Sequence, residues 1–92
     1  MRKSVLWLVS ALALSAAHAA DPEDGRNAVA AAEKAVAAAR AENALWTSAE
    51  DALRQARRAL EGGDAAAAIR HANFASEQAA LGIAQKRYSL TR

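Results

Sequence analysis

The side chains able to do chemistry in this chain are few and scattered. His18 and His71 are the only histidines, and there is no cysteine. Glu77, Gln78 and Gln85 follow His71 in the sequence, but no second imidazole and no carboxylate pair stands with them. A transition-metal site needs three or four ligands, so His71 reads as a solvated side chain. Ser48, Ser76 and Ser89 lie in no G-x-S-x-G or comparable setting and have no base placed to activate them. Without cysteine there is no thiolate site, no covalent haem attachment through a CxxCH segment and no disulfide staple. Arg54, Arg57 and Arg58 stand beside Glu50, Asp51 and Glu61 at ion-pairing helical intervals, the pattern of a solvated face; a docking role for the arginines is the alternative. The expectation is therefore a protein that is not an enzyme, with no catalytic, metal or cofactor-binding residue. Any chemistry belongs to a partner.

The N-terminus sets where that partner would be met. Met1-Arg2-Lys3 is a positive start, Val5 to Ala16 is an apolar run without charge, and Ala17-His18-Ala19 is a small-x-small site. This is the plan of a secretory signal peptide over residues 1–19. The run is too short and too interrupted by serine for a membrane span. The expected product, residues 20–92, is a single soluble periplasmic domain without a lipobox cysteine. Without Arg2 and Lys3 the 12 basic residues fall to 10, matching the 10 acidic ones. The high pI thus belongs to the targeting segment, and nucleic acid is not an expected partner.

The elements that must position any binding residues are helical, and the fold class is all-α. Asp21 reads as a helix cap, Pro22 as a first helical residue, and Glu23 and Asp24 as acids at the positive helix end; Gly25 argues for a later start near Arg26. From Arg26 to Glu61 there is no proline or glycine, and Val29, Ala32, Val36 and Ala39 keep three-four spacing. One long helix is the preferred reading here, and a break near Asn43 or Thr47-Ser48, giving three helices, is the alternative. Glu61-Gly62-Gly63-Asp64 is a tight turn into a second helix, from about Ala65 to Tyr88, with a frayed tail after it. The unit is an antiparallel helical hairpin whose core is mostly alanine, so its stability alone is expected to be marginal.

That second helix carries two apolar faces. Ile69, Ala72, Ala79 and Ile83 cluster on one side; Ala67, Phe74, Leu81 and Tyr88 recur every seven residues on another. One hairpin partner cannot cover both. Either the N-terminal part of the chain folds back over the second face, or Phe74, Leu81 and Tyr88 form a patch for another protein. Trp46 has the same two readings, packing the open end of the hairpin or anchoring a partner. Gly82 costs the helix about 1 kcal/mol relative to alanine and permits close approach of another helix.

The segments Leu45-Trp46-x-Ser48, Ala52-Leu53, Gly63-Asp64, Ala66 to Ala72 and Ala75-Ser76-Glu77-Gln78-Ala79-Ala80-Leu81-Gly82-Ile83-Ala84-Gln85 resemble the SoxXA-binding protein family. The resemblance spans Leu45 to Lys86, about half of the chain. It implies a non-enzymatic accessory protein that binds the c-type cytochrome complex of periplasmic thiosulfate oxidation and raises its activity. Many members carry a lipobox cysteine, which this chain lacks. Trp46, Gln78, Leu81, Gly82 and Gln85 match the family pattern. With Phe74 and Tyr88 from the second apolar face, they make up the expected partner-binding set. The alternative is a structural protein in which the same face closes a homo-oligomeric bundle.

Overall fold

The computed structural model describes residues 20–91, and the side chains of residues 20–88. Residues 1–19, read above as a signal peptide, lie outside the described residues. Among the described residues three helices follow one another: α1 (Pro22–Ala41), α2 (Thr47–Glu61) and α3 (Ala65–Thr91). Gly25 near the start of α1 lies against Leu60 and Ala65, and the residue following α1's exit turn, Ala44, lies against Gly82. So α1 and α3 run in the same direction, with α2 antiparallel between them in the chain. Among the described residues no helix is long and apolar enough to cross a membrane.

The all-α class stands, and the three-helix arrangement is the one adopted. The preferred single helix from Arg26 to Glu61 is corrected: the chain breaks after Ala41 and resumes at Thr47. Asn43 does this by taking φ +56°, the left-handed region that asparagine tolerates better than most side chains. The Ala44 amide then donates to the Ala39 carbonyl at 2.8 Å, and the Asn43 amide to the Arg40 carbonyl at 3.0 Å. The second turn repeats the scheme. Gly63 takes φ +82°, the Asp64 amide donates to Ala59 and the Gly63 amide to Leu60. Both turns satisfy the last free carbonyls of a helix through one left-handed residue.

Two of the three helix starts carry a side-chain cap. The Asp21 carboxylate accepts from the Glu23 amide at 2.9 Å, so α1 begins at Pro22 and not near Arg26. The Asp64 carboxylate accepts from the Ala67 amide at 3.0 Å. At α2 the cap residue is Trp46, which offers no side-chain acceptor. The last helix continues through Thr91, past the boundary expected at Tyr88.

The core is one cluster of small side chains. Val29, Ala32, Val36 and Ala39 of α1 meet Ala49, Ala52, Leu53 and Ala56 of α2 and Ala68, Ala72, Ala75 and Ala79 of α3. Val36 is the largest fully buried side chain. Helix axes approach more closely when methyl groups separate them than when leucines do. Gly25, whose presence argued against an early helix start, serves that approach. A Cβ there would lie 3.2 Å from the Leu60 side chain and 3.3 Å from Ala65.

Charged residues stay on the rim. The Arg57 guanidinium donates to Glu33 at 3.0 Å and that of Arg40 to Glu50 at 3.3 Å, tying α1 to α2 on either side of a cleft of about 120 Å³. Arg54 pairs with Asp51 within α2. Of the α2 arginines, Arg54 thus makes an intrahelical pair and Arg57 a cross-helix tie. All these side chains are substantially exposed, so each pair contributes under about 1 kcal/mol.

Candidate protein-binding surface

The seven residues of the expected binding set fall into two groups. Trp46, Gln78, Gly82 and Gln85 gather where the α1–α2 connection crosses α3. Phe74, Leu81 and Tyr88 lie along the outer side of α3.

The crossing is built from the backbone outward. The left-handed turn at Asn43 sends residues 44–46 across α3, and Gly82 admits them. A Cβ on Gly82 would overlap the Ala44 carbonyl oxygen and would lie 3.5 Å from Trp46 Nε1. Gly82 is buried, so it belongs to intramolecular packing rather than to an exposed contact surface. Ser48 Oγ, in the first turn of α2, donates to Gln78 Oε1 at 2.9 Å. Lys86 Nζ donates to the Glu42 carbonyl, and the Arg87 guanidinium pairs with the Glu42 carboxylate at 2.8 Å. Asn43, Ala44, Leu45, Trp46, Gly82, Gln85 and Lys86 line an open depression of about 300 Å³ beside this crossing. Trp46 forms its wall and keeps 38% of its surface exposed. It both packs the end of the bundle and presents a face to solvent.

The outer side of α3 is different in kind. Phe74 is 47% exposed, Leu81 48% and Tyr88 65%. The N-terminal part of the chain does fold back as a third helix, as one reading required, but it packs on the alanine side of α3. The contacts of α1 and α2 go to Ala68, Ala72, Ala75 and Ala79. Phe74, Leu81 and Tyr88 are left outward. Ile69 and Ile83, on the first apolar face, are half-buried.

His71 is half-buried, and no group of three or more metal-ligating side chains stands together among the described residues. The sequence reading missed Glu42, Ala44 and Lys86 at this crossing, and held Asn43 only as the alternative break in one long helix. The available signal was Asn43 itself, a turn-tolerant residue at the first position where the three-four apolar pattern of α1 fails.

Comparison with models of protein families, with curated proteins and with solved structures finds no match.

Proposed function

We propose that this chain is a non-enzymatic periplasmic accessory protein that binds a c-type cytochrome complex of thiosulfate oxidation and supports its activity. The observation that carries a binding role is the outward row of Phe74, Leu81 and Tyr88 on a bundle whose interior is closed by alanine. Large apolar side chains in an exposed row mark interaction sites far more often than single exposed ones do. The partner class comes from the resemblance of residues 45–86 to the SoxXA-binding proteins. Trp46, standing beside the depression at the crossing, extends the surface with a residue type common among binding hot spots.

The test is size exclusion with light scattering. The full chain is expressed with its own N-terminal segment, purified as the host exports it, and run alone and with a SoxXA-type cytochrome. The expected result is co-elution at defined stoichiometry, lost in Leu81→Asp while the helical circular dichroism is kept. Independent elution of the two proteins at all ratios would remove the accessory reading.

A further inference from the structure

We propose that the outer side of α3 is also a homodimer seam, pairing antiparallel with the same side of a second copy of this chain. Arg70, Phe74, Glu77, Leu81, Ala84 and Tyr88 follow one another at alternating intervals of four and three, and all six are exposed. This is the spacing by which one helix seats against another. The helices of the bundle do not use it, because they pack on the opposite side of α3. The row spans about 27 Å at 1.5 Å per residue.

The occupant follows from what the row does when reversed. A two-fold axis that sets Glu77 opposite Leu81 of a second copy also sets Phe74 opposite Ala84 and Tyr88 opposite Arg70. The row is then laid on itself with no residue left over. The large Phe74 ring meets a methyl group. Leu81 meets the apolar stem of Glu77, whose carboxylate reaches the edge. The guanidinium of Arg70 lies over the ring of Tyr88, a cation–π pairing. Parallel pairing instead places Arg70 on Arg70 and Glu77 on Glu77, opposing like charges at both positions. Antiparallel registers shifted by seven residues leave either Tyr88 or Phe74 at the edge. Only the register described covers all three large side chains in both copies.

The same geometry makes the dimer weak. The two Glu77 side chains flank the axis, offset by about 6 Å along it, with only their stems covered. The pairing does not depend on the cytochrome reading, and a heterologous partner docking on Phe74, Leu81 and Tyr88 would compete with it.

Sedimentation equilibrium on the exported full chain, without any cytochrome, tests it. The expected mass rises from one copy to two across the micromolar range. Leu81→Asp stays monomeric with unchanged helicity. Glu77→Leu, which removes the carboxylate from the axis, tightens the dimer about tenfold or more. Because the chain has no cysteine, single cysteines report the register. A mixture of Phe74→Cys and Ala84→Cys copies links under mild oxidation, while neither variant links to itself. A wild-type chain that stays monomeric overturns the proposal and leaves the surface to a different protein. So does a dimer that persists in Leu81→Asp, or a Phe74→Cys variant that links to itself. A dimer that ignores the cytochrome removes only the accessory reading. A monomer that co-elutes with the cytochrome removes only this one.

Discussion

The two sides of α3 share a spacing and differ in size. On the inner side Ala68, Ala72, Ala75, Ala79 and Gly82 succeed one another at intervals of four and three, all of them buried. On the outer side the same intervals carry Phe74, Leu81 and Tyr88, all exposed. An ordinary amphipathic helix puts its large apolar residues inward. Here the fully covered positions of α3 are all alanine or glycine, with the larger Ile83 packed only at their margin. The large side chains are excluded from the bundle by their volume and remain on the surface. Hydrophobicity alone does not sort the two faces of this helix; size does.

The strongest way to break that contrast is to move volume inward. Ala75 is fully buried at the centre of the cluster. Ala75→Leu should destabilise the bundle by about 3 kcal/mol, since overfilling a close-packed interior forces backbone shifts. Ala80→Leu, the same change at an exposed position of α3 outside the row of Phe74, Leu81 and Tyr88, should alter stability by less than about 0.5 kcal/mol. Urea melts of both variants followed by circular dichroism make the comparison, and equal losses would sink it.

A second test addresses the crossing. Gly82→Ala gains about 1 kcal/mol of helix propensity in isolation. It also drives a methyl group into the Ala44 carbonyl. The expected net is a loss of about 1–2 kcal/mol in thermal or urea unfolding. A stabilised variant would show that the connection lifts off α3 at little cost.

The two turns sharpen the picture further. Asn43→Ala should cost about 1 kcal/mol, because alanine resists the left-handed φ that asparagine accepts there. Asn43→Gly should be nearly neutral in the same melts. A smaller effect still is expected from the cross-helix ion pair of Glu33 and Arg57. A double-mutant cycle should return a coupling below about 0.5 kcal/mol, shrinking with added salt.

How much of this was legible in the sequence depended on the residue that signalled it. The turn after α2 was read because Gly63 has few uses other than a left-handed backbone. The matching turn after α1 stood only as an alternative, because asparagine disfavours a helix interior only mildly and no proline or glycine marks the place. The cap at Asp21 was visible, while Gly25 pointed the wrong way: its cost to the helix is local, and its benefit lies in contacts with Leu60 and Ala65. The outward row of α3 was seen as a second apolar face. Which side would be covered could not follow from periodicity, since both sides are apolar and the choice is made by interhelical distance. The pairing of Lys86 and Arg87 with Glu42 depends on where the chain crosses α3, so it had no local signature.

An interior closed by methyl groups has a calorimetric consequence. The heat-capacity change on unfolding scales with the apolar surface newly hydrated, ordinarily about 12–15 cal/mol/K per residue. With Val36 as its largest fully buried side chain, this bundle hydrates less apolar surface per residue when it opens. Its stability curve should therefore be flatter in temperature, and cold should weaken it less than it weakens a leucine-filled bundle of the same length.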